Sequence, residues 1–358
     1  MSPQGPRAGA GRQSAGRAVQ SARCGRAAGK RFHWPDREAN VFRPEIKVLD
    51  CTIRDGGLAN DSHFTLETVR GVYKACCEAR IDYVELGYRN SKKMFSPAEF
   101  GLWRFCDEDD LKRAVDGIEN QGTKVSVMQD AHKAEAADLL PKDQSVATLV
   151  RVATYVKDID KAIALENAAH DKGYETTINV MSISVESDWE LDPALEQIAK
   201  ETHVVACYVV DSFGALYSEQ VDYFVDKYRR ILPKNVEVGV HFHNNQQLAF
   251  ANTIEGIIRG ANFLDSTVYG LGRAAGNCPT ELLLGFLKNP KFNIRPIFDC
   301  VANTVIPLQK QVEWGYMVPH MITGILNQHP RAAMAMLKGA DRLKYRQFYD
   351  QMLELVDR

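Results

Sequence analysis

Asp50-Cys51-Thr52-Ile53-Arg54-Asp55-Gly56-Gly57 follows the apolar run Ile46 to Leu49, and His241-Phe242-His243-Asn244-Asn245 ends the run Val236 to Phe242. Each string places polar side chains where a β-strand would end. Side chains two apart in a strand point to the same side, so His241 and His243 can offer both imidazoles to one point. An HxH pair alone is met equally by two half-buried histidines satisfied by their neighbours. Asp55, arriving from a different strand end, would complete an Asp plus two His face, with Arg54 beside it. Mixed oxygen and nitrogen ligands on one face leave positions open, which suits octahedral Mn²⁺, Mg²⁺ or Co²⁺ better than a closed tetrahedral zinc site.

Working outward, short apolar runs alternate with longer amphipathic ones. The apolar runs are Ile46 to Leu49, Tyr83 to Leu86, Lys124 to Met128, Ala147 to Val152, Thr176 to Met181, Val204 to Val210, Val236 to Phe242 and Phe263 to Val268. Helical patterns between them cover Leu66 to Arg80, Glu108 to Asn120, Ala131 to Leu140, Asp158 to Lys172, Leu191 to Glu201, Ser218 to Leu232 and Gln246 to Arg259, with Pro279 to Leu287 after the last strand. This is the pattern of an α/β fold, a (β/α)8 TIM barrel over residues 45–290. A doubly wound open sheet is the alternative, but no GxGxxG stands at the first strand-to-helix turn. Barrel active sites lie at the carboxyl ends of the strands, and polar residues cluster there: Arg54, Asp55, Glu85, Arg89, Gln129, Asp130, Asn179, Ser182, Asp211, Ser212, His241 and His243. Strand four offers less, with Arg151 and Thr154, and Asp265 and Thr267 lie at the eighth. For Asp130 and Ser212, helix capping is an equal explanation.

Beyond the barrel, residues 291–358 carry further helical periodicity, Ile297 to Val312 and Arg331 to Val356, and form a helical C-terminal extension that could cap the barrel mouth or pair subunits into a homo-oligomer. Residues 1–44 are expected to be a disordered leader: Met1 to Arg31 is rich in Gly, Ala, Arg and Ser and has almost no large apolar residues, too few to bury a core. An organelle transit peptide is the other possibility for so arginine-rich a stretch. The formal net charge of −2 gives no footprint for nucleic acid. No apolar run approaches the length of about 18 residues needed for a membrane span. The eight cysteines are scattered without a CxxC pair, which fits reduced thiols and a cytoplasmic location.

The ordered motifs resemble those of the metal-dependent TIM-barrel lyases and condensing enzymes, the DRE-TIM metallolyase superfamily. Asp50-Cys51-Thr52-Ile53-Arg54-Asp55-Gly56 is similar to its D-x-T-x-R-D-G signature, Val84-Glu85-Leu86-Gly87 to its second-strand motif, and His241-x-His243-x-Asn245 to its metal motif. Gly270-Leu271-Gly272, followed by Gly276-Asn277, is similar to its last active-site loop. The superfamily includes 4-hydroxy-2-oxovalerate aldolase, 3-hydroxy-3-methylglutaryl-CoA lyase and 2-isopropylmalate synthase. The resemblance implies that Asp55, His241 and His243 hold a divalent metal, Mn²⁺ first and Mg²⁺ or Co²⁺ as alternatives, with Asn277 as a further ligand. It implies that Arg54 faces a metal-chelated 2-oxo acid such as pyruvate, with Glu85 orienting Arg54 and with Asn179 and Asp211 near the substrate. The expected activity is that of a class II aldolase, a carbon-carbon lyase with an aldehyde partner. A Claisen-type synthase using an acyl-CoA, and a catalytically inactive metal-binding regulatory barrel, are the alternatives.

The departures bear on subtype. In the aldolases, an acid-base histidine stands two residues after the signature's Asp-Gly pair; Leu58 occupies that place here. The glycine-rich loop lacks the lyase's catalytic cysteine, and Cys278, just beyond it, reads as a packing residue. The chain looks closest to aldolases with an Arg-Asp-Gly-Gly signature. Something must still move the proton, and the extension offers His320, Tyr316 and His329. Packing of the tail onto the barrel is the competing explanation for all three.

Overall fold

Strand parity decides how this chain folds. Along β2 (Tyr83–Tyr88), β4 (Ala147–Thr154), β6 (Ala206–Asp211) and β8 (Phe263–Ser266), alternate residues meet in two separate apolar clusters. Val84, Val150, Cys207, Val209 and Leu264 pack outward with the helices. Leu49, Tyr83, Leu149, Ala206, Tyr208 and Phe263 pack together on the other side. Both sets are fully apolar because a parallel sheet covered by helices is buried on both faces.

The computed structural model describes residues 43–356, and residues 1–42, where most of the expected leader falls, lie outside it. With β1 (Lys47–Asp50), β3 (Lys124–Asp130), β5 (Glu175–Val180) and β7 (Glu237–Phe242), the strands close into a barrel in sequence order, β1 to β8, every neighbouring pair parallel. The inner apolar layer is built from Tyr83, Tyr208 and Phe263, whose rings touch at 6.1 and 6.4 Å between centroids. One step further towards the carboxyl ends, the same inward parity brings in Glu85, Arg151, His241 and Asp265, all buried. The barrel is therefore oily below and ionic above.

Helices α1 (Thr52–Gly56), α2 (Leu66–Glu78), α3 (Glu108–Val115), α4 (Ile159–Asp171), α5 (Asp188–Glu201), α6 (Ser218–Ile231), α7 (Ala249–Ile258) and α8 (Thr280–Leu287) surround it. Three helical expectations change. Ala131 to Leu140 holds only a short 3-10 turn, Ala136–Asp138, because Asp130 and Asp138 accept the His132 and Glu135 amides and tie the segment into turns. Ile297 to Val312 breaks into α9 (Arg295–Cys300), a π turn at Val301–Val305 and the short α10 (Ile306–Leu308), since Pro307 supplies no amide donor and crowds the preceding turn. Arg331 to Val356 is split at Gly339 into α12 (Arg331–Lys338) and α13 (Tyr345–Val356). The sequence reading missed α1 and α11 (Val318–Ile325).

The extension has its own small core of Ile322, Ala333, Phe348 and Met352. It rests on the carboxyl-end loops: Gly324 lies against Asn245 and Gln246, and Asn327 Nδ2 donates to Ser184 O at 2.9 Å. Seven cysteines of the described residues are free and buried, and none of their helices is long and apolar enough to cross a membrane.

Gly239 pairs with Tyr208 across β6 and β7, and a Cβ there would lie 2.6 Å from the Tyr208 ring. Gly239→Val should therefore overpack the inner layer and cost about 1–3 kcal/mol, read as a lower urea midpoint with an unchanged slope.

Candidate active site

The signature string splits into a structural half and a chemical half. Asp50 accepts from the Thr52 amide at 3.1 Å and hydroxyl at 2.8 Å, and Thr52 Oγ1 accepts from the Val268 amide at 2.8 Å. Thr280 Oγ1 donates to Ser266 Oγ at 2.8 Å behind them. These bonds tie the end of β1 to the end of β8. Burial pushes the Asp50 carboxyl up to about 7. The single turn of α1 then swings Arg54 and Asp55 over the barrel mouth.

There a chain of buried ions runs across the barrel. Arg54 pairs with Asp55 through Nη1 and with Glu85 Oε2 through Nε at 2.7 Å. Glu85 Oε2 also accepts from Arg151 Nη1 at 3.0 Å, and Arg151 Nη2 reaches Asp265 Oδ2 at 2.6 Å. Asp265 Oδ2 lies 2.9 Å from His241 Nδ1. The Arg151 guanidinium also stands 4.4 Å over the Tyr208 ring, joining the ionic layer to the apolar one. Burial opposes ionisation of Asp265, but Arg151 and His241 hold its carboxyl below the ordinary range. An ionised Asp265 requires the proton of neutral His241 on Nδ1.

Against burial, Asp265 and Asp55 raise the His241 imidazole; in the neutral ring that a cation would require, Nε2 offers its lone pair beside Asp55 Oδ2, 3.6 Å away. His243 Nε2 faces the same oxygen at 3.9 Å, with the two rings 5.1 Å apart at 83°. Burial drives His243 well below its ordinary value, so it is neutral. Against burial, the Arg54 guanidinium paired with it keeps Asp55 well below the carboxylate range. Asn277 Nδ2 donates to Asp55 Oδ1 at 3.0 Å, and Asn277 Oδ1 is buried without a partner. Lone pairs and an anion converge on one point, and the buried network of three carboxylates and two guanidiniums is net negative with neutral histidines. These residues fit a divalent cation: Asp55, His241 and His243 offer ligand atoms within 4.8 Å of one another. Cys51, His241 and Asp265 form a second such group, but Asp265 is already occupied by Arg151 and burial holds the Cys51 thiol protonated.

A cavity of about 300 Å³ opens above this point. Of the residues expected near substrate or catalysis, Arg54, Asp55, Asn179, His241 and His243 line it. Glu85 lies beneath, spent on Arg54 and Arg151. Asp211 faces its own loop, accepting from the Ala215 and Leu216 amides at 3.0 Å each, and burial raises it to about 6. Tyr316 is 57% exposed, and His320 is buried outside the cavity wall. His329, by contrast, lines the cavity with Arg331 and Met334 from the extension. The structure adds Tyr155, Lys133 and Arg273 to the cavity wall, and it gives Arg151 and Asp265, expected only as polar residues of strands four and eight, a place in the ionic chain. The inward parity of Arg151 with Leu149, and of Asp265 with Phe263, is the sequence signal for that place.

A family model described as HMGL-like matches residues 45–299. The chain belongs to the HMGL-like family. A 4-hydroxy-2-oxovalerate aldolase of Bacillus cereus is 34% identical over 276 residues, covering 75% of this chain and 78% of that protein. An oxaloacetate decarboxylase of Mycobacterium tuberculosis is 27% identical over 298 residues, covering 80% and 85%. Among solved structures, the N-terminal domain of a candidate aldolase from Bacteroides vulgatus superposes with a TM-score of 0.73 at 30% identity, covering 84% of this chain and 100% of that one. The HMG-CoA lyase of Brucella melitensis shares the fold, with a TM-score of 0.59 at 16% identity over 74% and 99%. The family is that of the DRE-TIM lyases, and its aldolases depend on a divalent metal.

Arg151 and Asp265 set which nitrogen of His241 faces Asp55. Arg151→Ala leaves Glu85 with Arg54 alone and Asp265 with no guanidinium partner, and should cost about 3–5 kcal/mol in urea unfolding. Asp265→Asn should weaken Mn²⁺ binding about 10- to 100-fold in calorimetry while the fold persists.

Proposed function

We propose that the protein is a divalent-metal-dependent carbon-carbon lyase of the aldolase type, acting on a pyruvate-like 2-oxo acid with an aldehyde as the other partner. One observation carries this: the Nε2 atoms of His241 and His243 converge on one buried carboxylate oxygen of Asp55, at 3.6 and 3.9 Å, with a fixed guanidinium at its side. Asp55, His241 and His243, with Asn277 Oδ1 in reserve, would hold the ion, Mn²⁺ first and Mg²⁺ or Co²⁺ as alternatives. When bound, it supplies Lewis acidity to a chelated 2-oxo acid.

The chain's own residues do the rest. Glu85 and Asp55 fix two nitrogens of Arg54, which leaves Nη2 for the substrate oxygen on which negative charge develops as the carbon-carbon bond breaks. A preorganised donor of this kind contributes about 3 kcal/mol, and lysine lacks the planar fork that makes it possible. Leu58, Tyr88, Met128, Ala153 and Met181 form an apolar wall beside Arg54, which excludes water and strengthens that interaction.

For proton transfer the tail residue best placed is His329. Its Nδ1 accepts from the Arg331 amide at 3.0 Å, so the neutral ring carries its proton on Nε2. Burial and the nearby arginines hold it at about 4, so the ring stays neutral and its Nε2–H would hydrogen-bond the hydroxyl oxygen that becomes the aldehyde carbonyl, while the proton leaving that oxygen as the carbon-carbon bond breaks would pass to solvent at the cavity mouth. Tyr155 shares that wall. His320 and Tyr316 would support the tail's position from outside the cavity.

A cavity of about 300 Å³ suits a short 2-oxo acid and aldehyde better than an acyl-CoA, which places the aldolase reading ahead of a Claisen-type synthase. Buried free thiols support a cytoplasmic setting, and exposed Phe298, Ile306 and Tyr316 in the extension support a homo-oligomer. With Mn²⁺ present, deuterium should exchange into the methyl group of pyruvate, followed by NMR. Exchange should vanish in Asp55→Ala and fall about 10²- to 10³-fold in Arg54→Lys. No exchange despite Mn²⁺ binding would reject pyruvate as the enolising partner, and loss of CO2 from oxaloacetate without aldehyde turnover would make the chain a decarboxylase.

A further inference from the structure

The outer half of the cavity is more basic than the chemistry at its floor requires. Four cationic side chains line it, Arg54, Lys133, Arg273 and Arg331, against two acids, Asp55 and Asp130. Two of the four are already matched, Arg54 with Asp55 and Glu85, and Lys133 Nζ with Asp130 at 2.7 Å. Arg273 and Arg331 have no salt-bridge partner among the described residues. Both lie close enough to His329 to lower its imidazole further after burial has done so, so the two guanidiniums and the His329 Nε2–H share one corner of the cavity.

Arg273 is held there by construction. Its amide donates to Asp55 Oδ1 at 3.0 Å, and its Nη2 to Ser212 O at 2.6 Å. The preceding residue must be glycine, since a Cβ on Gly272 would lie 2.2 Å from Asn277 Nδ2. The following turn uses positive φ at Ala274 (58°) and Gly276 (82°). Arg273 Nε is buried and has no partner. A buried guanidinium fixed at the cavity wall without a carboxylate is costly unless an anion arrives to meet it, and its planar fork matches carboxylate and phosphate.

We infer that Arg273 and Arg331 bind an anionic group on the far end of the substrate, beyond the oxygen that meets the His329 Nε2–H, so that the aldehyde partner carries a carboxylate or a phosphate. This rests on the lyase reading for the word aldehyde, and on the cavity alone for the anion. The substrate is then anionic at both ends: its 2-oxo acid end lies at the floor with Arg54, and its other end lies under the extension. Arg331 comes from α12, so the extension takes part in choosing the substrate.

Two experiments test it together. In the first, Mn²⁺-loaded protein and pyruvate are offered propanal, succinic semialdehyde or glyceraldehyde 3-phosphate. One of the anionic aldehydes should exceed propanal in kcat/KM by about 10- to 100-fold, the range expected for hydrogen bonds to a charged group; which one it is distinguishes carboxylate from phosphate. The ratio should fall towards one in Arg273→Gln and, from a surface position with little bearing on folding, in Arg331→Gln. In the second, the Mn²⁺-loaded protein is titrated calorimetrically with succinate, inorganic phosphate and neutral succinamide. An anion should bind more tightly than succinamide, and Arg331→Gln should weaken it about tenfold. Equal use of propanal together with no arginine-dependent anion binding overturns the inference and leaves the lyase reading intact. Arginine-dependent anion binding without turnover of any aldehyde sustains the anion site and rejects the lyase reading instead.

Discussion

The ionic chain that runs from His241 through Asp265, Arg151, Glu85 and Arg54 to Asp55 is the constraint on which the site depends. It crosses the barrel through β7, β8, β4, β2 and the turn after β1. A hydrophobic layer of the same volume would be as stable or more so, because burying five charges costs about what their pairing returns. The chain's contribution is orientation. Asp265 keeps the proton of His241 on Nδ1, and Glu85 keeps Arg54 from turning away from the cavity. Nothing in this layer can rotate without breaking a buried ion pair, so Asp55, His241 and the Arg54 guanidinium keep their positions before any substrate arrives.

Beneath this layer the Tyr83, Tyr208 and Phe263 rings exclude water and lower the local dielectric, which makes each ionic contact stronger and each broken one more costly. Above it, the loop from Gly270 to Asn277 and the C-terminal extension form the part that differs in kind. The floor is rigid and its charges are largely internally matched. The rim carries Arg273 and Arg331, without acid partners among the described residues, and His329 as a neutral donor. On the proposed reading, reaction type resides in the barrel and choice of partner in the rim, the usual division in a fold whose loops vary over a fixed frame.

Much of this was legible in the sequence because two periodicities carry it. Strand boundaries followed from β-branched runs, and β7 was expected to end at Phe242, as it does. The Arg54, Asp55, His241 and His243 cluster followed from strand ends and parity, and the structure brings those four together. Arg151 was expected among the polar residues of strand four but was given no role. Its role depends on Glu85 and Asp265, 66 and 114 residues away, and no local pattern encodes such pairings. The tail was the least legible. Its one cavity-lining histidine, His329, stands in a short turn between helices, where periodicity is silent, while Tyr316 and His320 were prominent in the sequence and lie outside the cavity. The missing third barrel helix was hidden for a similar reason, since Ala131 to Leu140 has helical composition but spends its acids on backbone amides.

The account stands on the claim that Asp55, His241 and His243 form one metal site built by the ionic chain. Anomalous diffraction from crystals soaked in Mn²⁺ and a 2-oxo acid tests it most directly. The account predicts a single anomalous peak within ligand distance of Asp55 Oδ2, His241 Nε2 and His243 Nε2, with the His241–Asp265 bond retained. A peak among Cys51, His241 and Asp265, or no peak in the barrel, would contradict it.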